Sequence, residues 1–190
     1  MDQKYMEIAL EYAKKAFDND EVPVGCVIVK DDEIIAVGYN QKESSQSPLD
    51  HAEIIAIKEA SNKLNSWRLE GCSLYVTLEP CSMCAGAIIQ ARIETVVFGA
   101  FDPKGGSFGS VINLAEVKGL NHYPIVISNI MEEESKQMLK AFFKKKRENK
   151  KNEAWLEETR MFLFSFFMLR CDFDIIKEKV RGDYGIQSII

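Results

Sequence analysis

Residues 73–89, SLYVTLEPCSMCAGAII, join a β-rich run to a helical run through a single proline. The apolar and β-branched residues of 73–78 predict a short buried strand. Pro80 ends that strand and suits the first turn of a helix that continues through Ile89. A strand followed directly by a helix is the repeating unit of α/β proteins. This stretch therefore predicts an α/β fold.

Further helices and strands alternate on both sides of this stretch. An amphipathic helix at the N-terminus precedes two apolar runs, VPVGCVIVK and EIIAVGYN, which Asp31 and Asp32 join in a predicted hairpin turn. Residues 41–50 form a predicted loop. The later pattern predicts a helix from His51 to about Leu64, strands at 95–100 and 124–128, and a long helix from about Met131. Together they predict a three-layer α/β/α sandwich around a mixed sheet of about five strands, with an antiparallel first pair.

Composition favours a globular protein, with 46% hydrophobic and 28% charged residues. Length and pattern predict one domain over residues 1–152 and a C-terminal extension over residues 153–190, apolar and then charged. The N-terminus lacks the apolar segment of a secretion signal, so we expect a cytoplasmic protein whose five cysteines are reduced or bind metal.

The extension contains the apolar run MFLFSFFML, residues 161–169. Nine residues are too few to span a bilayer, which takes about 20 in a helix. Packing on the domain is the preferred interpretation. A subunit interface, a membrane-surface contact and a segment without function are the alternatives.

Two short motifs carry the chemistry. Pro80-Cys81-Ser82-Met83-Cys84 places two thiols three positions apart at the start of a helix, where the helix N-terminus favours thiolates. His51, in His51-Ala52-Glu53, can add a third ligand, and a three-ligand zinc site keeps its fourth position for water. Glu53 would then lie beside the metal and carry protons to and from that water.

Each motif also has a simpler interpretation. A lone C-x-x-C occurs in redox pairs and in half of a structural zinc site, but the sequence contains no second C-x-x-C or H-x-x-x-H to complete four ligands. Asp50 and Glu53 have the spacing of a helix capping box. H-x-E followed by P-C-x-x-C nevertheless favours a catalytic site. The remaining histidine and cysteines are interpreted as structural or surface residues: His122, Cys26, Cys72 and Cys171.

Charge is distributed unevenly along the chain. Residues 1–135 carry 11 basic and 21 acidic side chains, a balance of −10, whereas residues 136–151 carry eight basic side chains and one acidic, a balance of +7. A basic segment on an acidic protein is typical of a local polyanion contact. A solvated helix end, where cations complement the helix dipole, is the alternative.

The combination of H-x-E and P-C-x-x-C resembles the signature of the zinc-dependent nucleobase deaminases. Over about residues 1–150 the chain is similar to the bacterial tRNA-specific adenosine deaminases. The matching stretches are EVPVGCVIV, HAEIIAI, WRLEGCSLYVTLEPCSMCAGAI, RIETVVFGAFDPKGGSFGS and FFKKKR. The resemblance implies a cytidine deaminase-like fold for the deaminase domain over residues 1–152, while the extension has no counterpart in it.

By this resemblance, His51, Cys81 and Cys84 correspond to the ligands of one zinc ion per chain, and Glu53 to the proton carrier. It also implies substrate contacts of three kinds. Asn40 and Ala52 correspond to contacts with the nucleoside, and Asp102 and Lys104 to the lining of an RNA cleft. The anticodon-loop contacts correspond to Phe142, Phe143 and Lys144.

The implied reaction is hydrolytic deamination of adenosine to inosine at the wobble position of a tRNA. The implied partners are a tRNA anticodon stem-loop and a second copy of the chain in a homodimer. Two rival functions stay open at this point. One is a zinc deaminase of a free base or nucleoside, of the guanine or cytosine type. The other is a nucleic-acid-binding protein with a purely structural metal.

Overall fold

The computed structural model describes the backbone of residues 2–184 and the side chains of residues 3–161. Its elements agree with the predicted alternation of helices and strands. The strands are β1 (Gly25–Lys30), β2 (Glu33–Tyr39), β3 (Cys72–Leu78), β4 (Thr95–Ala100) and β5 (Ile125–Ile127). The helices are α1 (Asp2–Asp18), α2 (Lys42–Ser45), α3 (Ala52–Lys63), α4 (Ser82–Gln90) and α5 (Glu132–Tyr184), with a 3₁₀ turn at Leu114–Glu116.

The five strands form one mixed sheet in the order β2-β1-β3-β4-β5. β1 is antiparallel to both β2 and β3, whereas β4 is parallel to β3 and β5. Asp31 and Asp32 both have positive φ angles, 49° and 62°, as a two-residue hairpin turn of type I′ requires. The predicted mixed sheet, its antiparallel first pair and the hairpin turn are therefore confirmed.

Helices cover both faces of the sheet. On one face, α1 packs through Tyr5, Met6 and Ala9 against alternate residues of β1, β3 and β4. On the other face, α3 and α4 pack through small and apolar side chains, including Ala52, Ala56, Ala60, Ala85 and Ile88. Each central strand thus buries both of its faces, which is typical of a three-layer α/β/α sandwich. The predicted architecture is confirmed.

Two local predictions differ from the structure. The segment 41–50 contains the one-turn helix α2, although its polar composition predicts only a loop. Pro80 lies before α4 and not in its first turn, because Cys81 is the N-cap and Ser82 the first helical residue. The first difference is a missed helix of a single turn, and the second is a helix boundary, which sequence patterns set least well.

Gly38 allows α3 to approach the sheet closely. A Cβ at this position would overlap the backbone carbonyl of Ala52 and crowd the backbone N–H of Ala56. The first turn of α3 therefore lies directly on β2, because a glycine leaves room for backbone against backbone. This contact sets the position of His51, which immediately precedes the helix.

The chain divides into two compact units, Met1–Phe143 and Lys144–Ile190. The domain boundary predicted at residue 152 falls inside the continuous helix α5. In the second unit, Trp155, Leu156 and Met161 are exposed. The side chains of residues 162–169 and of Cys171 lie outside the described ones, so the packing of the apolar run 161–169 stays a prediction. Within the described part of the chain, none of the helices combines the length and the apolarity needed to cross a bilayer.

We expect Gly38→Ala and Gly86→Ala to change stability in opposite directions. The methyl group at position 38 would overlap the backbone of α3, and overpacking of this kind costs about 1–3 kcal/mol. Gly86 lies inside α4, where an added Cβ meets nothing within 4 Å, so alanine should stabilise the helix by about 0.5–1 kcal/mol. Denaturant unfolding of both variants measures these changes. Equal stability of the two variants would contradict the close contact of α3 with β2.

Candidate metal centre

Two helix starts carry the three candidate metal ligands. His51 is the N-cap residue of α3, and Cys81 is the N-cap residue of α4, with Cys84 in the first turn of the same helix. Both N-cap residues have extended backbone conformations, and neither side chain caps its own helix. Their side chains are therefore available to a shared site between the two helices.

The structure brings the three side chains together. The Nδ1 atom of His51 lies 3.8 Å from Sγ of Cys81 and 3.6 Å from Sγ of Cys84. One ligand atom from each residue lies within 4.8 Å of the others, and this group could hold a metal ion. Cys84 is buried, while His51 and Cys81 are half-buried, so one side of the group remains accessible.

The two cysteines differ in electrostatic environment although they are neighbours. A hydrogen bond from the Cys84 thiol, with a further contribution from the His51 ring, lowers the pKa of Cys81 to about 3. The same interaction with Cys81, together with burial, raises the pKa of Cys84. The pair thus favours a thiolate at Cys81 beside the imidazole of His51. This group favours the binding of a cation, since thiolates are the metal-binding form of cysteine.

Glu53 lies against this group without being a member of it. Its side chain is 3% exposed, and the thiol of Cys84 hydrogen-bonds to its carboxyl group. Burial raises the pKa of Glu53, while its own backbone N–H and the nearby His51 oppose the shift. A carboxyl group with a raised pKa exchanges protons more readily near neutral pH, as a general acid and base must.

The capping-box interpretation of Glu53 does not hold. α3 begins at Ala52 with His51 as its N-cap, so Asp50 lies one residue before the cap. Glu53 is consequently at the second helical position and not at the third, which a capping box requires. Asp50 and Glu53 therefore do not form a capping box.

Asn40 organises the start of α3 from outside the helix. Its Oδ1 atom accepts a hydrogen bond of 3.0 Å from the backbone N–H of Ala52, and its own backbone N–H donates to the carbonyl of Val24. Asn40 and Ala52 are both buried. The structure thus links these two predicted substrate contacts to each other and places them beside His51. Their contact with a nucleoside stays a prediction.

The loop after β4 lies beside the metal ligands. Gly106 forms an isolated antiparallel bridge with Cys81, and the N–H of Ser107 donates to the carbonyl of Pro80. Asp102 accepts a hydrogen bond from the backbone N–H of Lys104, whose side chain is exposed. The structure therefore brings this predicted RNA-contacting loop to the metal centre.

The two predicted aromatic contacts have different surroundings. Phe142 is 2% exposed and packs edge-on against Phe17 with 5.7 Å between ring centroids. Phe143 is 46% exposed and contacts Phe142. Phe142 thus packs α5 against α1, which leaves Phe143 as the aromatic ring accessible to a ligand. Lys144 lies in the second unit.

Comparison with known proteins identifies the family. A family model of MafB19-like deaminases matches residues 1–147. The tRNA-specific adenosine deaminase of Bacillus subtilis is 51% identical over 150 residues, which cover 79% of this chain and 93% of the relative. That of Aquifex aeolicus is 47% identical over 151 residues, covering 76% and 95%. The chain belongs to the tRNA-specific adenosine deaminase family.

A solved structure supports the same assignment for this family member. It comes from studies of A-to-I editing by tRNA:A34 deaminases at the wobble position of transfer RNA. Its sequence is 43% identical, and the superposition covers 72% of this chain and 99% of that one with a TM-score of 0.70. The predicted deaminase fold is thereby confirmed beyond the order of secondary-structure elements.

Two buried carboxylates that hold segments leading to or pairing with the metal-ligand residues of this deaminase escaped the sequence analysis. Glu21 accepts hydrogen bonds from the backbone N–H groups of Glu43 and Ser44 and holds α2 in place. Glu79 accepts hydrogen bonds from the loop after β4. Each acidic residue lies near the end of a helix or strand, where the sequence pattern does not distinguish it from an exposed charged residue. Only burial distinguishes them, and their partners are 20 or more positions away in sequence.

We expect Cys81→Ala and Cys84→Ala each to lose a metal ion that the parent protein binds at one per chain. Both thiols lie within reach of the same point, and a site reduced to two ligands binds far more weakly. Elemental analysis of the purified proteins measures this content. Cys72→Ala, which removes a buried cysteine from β3, is the matched control and should retain the metal. Full metal content in either of the first two variants would refute the site.

Proposed function

We propose that this protein hydrolytically deaminates adenosine to inosine at the wobble position of a tRNA, with a zinc ion held by His51, Cys81 and Cys84. The observation that carries the proposal is the convergence of these three ligand atoms next to the buried carboxyl of Glu53. The sequence likeness to tRNA-specific adenosine deaminases indicates the substrate.

The donor set fits zinc in number, type and spacing. Zinc bonds are about 2.3 Å long to sulfur and about 2.0–2.1 Å to nitrogen. At the tetrahedral angle, a nitrogen and a sulfur atom bound to the same zinc ion would lie about 3.6 Å apart. The observed separations between Nδ1 and the two Sγ atoms are 3.6 and 3.8 Å. Zinc bound by three protein ligands supplies a nucleophilic water at neutral pH, because it lowers the pKa of that water to about 7.

Glu53 carries the protons of the reaction. Its carboxylate accepts a proton from the attacking water and delivers it to N1 of adenine, as oxygen bonds to C6. The same carboxylate then takes the proton of the new hydroxyl group at C6 and transfers it to the amino group, which leaves as ammonia while the C6 carbonyl forms. Burial suits this role, since a raised pKa lets the group hold the proton between the two transfers.

Asn40 supports the reaction in two ways. Its Oδ1 atom holds the first N–H of α3 and thereby orients His51 and Glu53. Its amide nitrogen remains a donor for the nucleoside. An asparagine that bonds to both the helix and the nucleoside would fix the position of the base relative to the metal-binding side chains.

Charge favours an RNA substrate over a free base. Residues 1–135 have a balance of −10, which repels a polyanion, so local cations must offset it. Exposed Lys104 lies in the loop that pairs with Cys81, and residues 136–151 supply the second group of cations. A deaminase of free guanine or cytosine needs neither group of cations.

We further propose that the protein works as a homodimer in the cytoplasm.

The function is tested with an anticodon stem-loop that contains a single adenosine at the wobble position. We expect the parent protein to form inosine in this RNA and to leave free adenosine, guanine and cytosine unchanged. Glu53→Gln should keep its metal and lose about 10²–10⁴-fold in rate, since proton transfer alone contributes about that much. Inosine is measured by digestion and mass spectrometry.

Glu59→Gln is the matched control for this experiment. It makes the same charge change at an exposed position of the same helix, and its side-chain oxygen can keep the hydrogen bond that Glu59 accepts from the backbone N–H of Val37, so we expect it to retain the parental rate. A Glu53→Gln protein with near-parental activity would remove Glu53 from the mechanism. Turnover of a free base without turnover of the stem-loop would replace the tRNA substrate.

We expect the basic run to provide a measurable share of RNA affinity. Replacing Lys144, Lys145, Lys146 and Arg147 by glutamine should weaken stem-loop binding and flatten its salt dependence. The expected decrease in the log–log slope is about 0.7 for each lost phosphate contact to single-stranded RNA. Binding is measured by fluorescence anisotropy across a range of salt concentrations, with metal content as the check on folding.

A second quadruple variant controls for net charge. It removes four exposed lysines that are scattered over the first unit and should change the slope much less: Lys4, Lys14, Lys63 and Lys118. If both variants bind RNA equally well, the run 144–147 is only a solvated helix end.

A further inference from the structure

One buried carboxylate gathers the backbone of the loop after β4. Oε1 of Glu79 accepts hydrogen bonds from the N–H groups of Phe108, at 2.9 Å, and Ser110, at 3.1 Å. Oε2 accepts from the N–H of Asp102 at 3.1 Å and from the hydroxyl of Ser110. All four donors thus come from residues 102–110, and they saturate both oxygen atoms.

The loop and the carboxylate depend on each other. Glu79 is 2% exposed, and three backbone N–H groups and one hydroxyl donate to its carboxylate, so backbone dipoles compensate its charge. The loop lacks regular structure, and its N–H groups would otherwise be costly to bury. Gly106 completes the fit, because a Cβ there would overlap the Glu79 carboxylate.

This arrangement connects the loop to the metal centre through only a few residues, both along the chain and across a backbone bridge. Glu79 lies two residues before Cys81, and its own N–H donates to the carbonyl of Ala100 at the end of β4. Gly106 pairs with Cys81 on the other side of the loop. Lys104 lies between these two anchors in the chain and is exposed. Its position is therefore set by the carboxylate through the loop backbone.

We propose that Glu79 is a positioning residue for the RNA substrate, which holds the 101–110 loop so that Lys104 meets the phosphates next to the target base. The proposal rests on the proposed function in its choice of RNA as substrate. Glu79 touches neither the substrate nor the metal in this role. It acts through the loop alone.

The direction in which Glu79→Gln changes RNA binding distinguishes a positioning role from a simple effect of charge. Glu79→Gln removes one negative charge from a protein of net charge −5, which by itself should strengthen RNA binding. Glutamine has nearly the same shape, but its amide nitrogen would face the N–H of Asp102, donor against donor. Weaker binding after loss of a negative charge thus indicates a displaced loop.

The experiment compares Glu79→Gln with Glu70→Gln in the metal-loaded, full-length protein. Glu70 is exposed just before β3, so this control makes the same charge change without touching the loop. We expect Glu79→Gln to raise KM for the stem-loop by about tenfold, the cost of a lost hydrogen bond to a charged group, while kcat stays near the parental value. Metal content should be parental in both.

Hydrogen exchange gives a readout that does not depend on turnover. Amides in a peptide that spans residues 101–113 should exchange faster in Glu79→Gln, while peptides from α3 and α4 should remain unchanged. Ser110→Ala removes a single donor and serves if the first variant fails to fold. It should raise KM about threefold and accelerate exchange in the same peptide.

Each outcome decides between the alternatives. An active parent together with parental KM and parental loop exchange in Glu79→Gln, or in Ser110→Ala if that variant replaces it, overturns the positioning role and leaves the proposed function intact. Equal rises in KM for Glu79→Gln and Glu70→Gln also overturn it, because Glu70 does not touch the loop, so displacement of the loop could not be the cause of either rise. A parent that does not act on the stem-loop overturns the proposed function and this inference with it.

Discussion

Two helix N-termini meet at one point in this fold, and the metal centre depends on that meeting. β2 and β3 lie on either side of β1, so the helices that follow them, α3 and α4, pack next to each other on the same face of the sheet. Alanines at 52, 56, 60 and 85 keep the layers close. The two helix dipoles favour negative charge at this point, which stabilises thiolates and, through them, a bound cation.

Two buried carboxylates that take no part in the proposed reaction hold the segments on either side of the metal centre. Glu21 holds α2 in the segment that leads to His51, and Glu79 holds the loop that pairs with Cys81. In both places a buried carboxylate satisfies backbone N–H groups that have no partner in a helix or strand. Such N–H groups cost free energy when they are buried unpaired, so the carboxylates stabilise irregular backbone that would otherwise rearrange.

The regular elements were largely predictable, because their periodicity is written in neighbouring residues. The strand at 95–100 and the helix after His51 appear almost where the pattern predicts them. The predictions missed the one-turn helix α2, which owes its N-terminal hydrogen bonds to Glu21, 22 and 23 positions earlier in the chain. The capping box of Asp50 and Glu53, which the sequence offered as the alternative to a catalytic role, does not form, because the helix begins one residue later than that pairing needs.

The sequence by itself determined the kind of chemistry, since H-x-E and P-C-x-x-C supply a histidine, two thiols and a carboxylate that have few other uses together. It also determined the fold class, through local alternation of strand and helix patterns. Only the tertiary structure decided that Nδ1 of His51 faces both sulfur atoms, that Asn40 holds the start of α3, and that Glu79 holds the neighbouring loop. Those contacts join residues 12 to 33 positions apart, and a local pattern carries no information about distances of that kind.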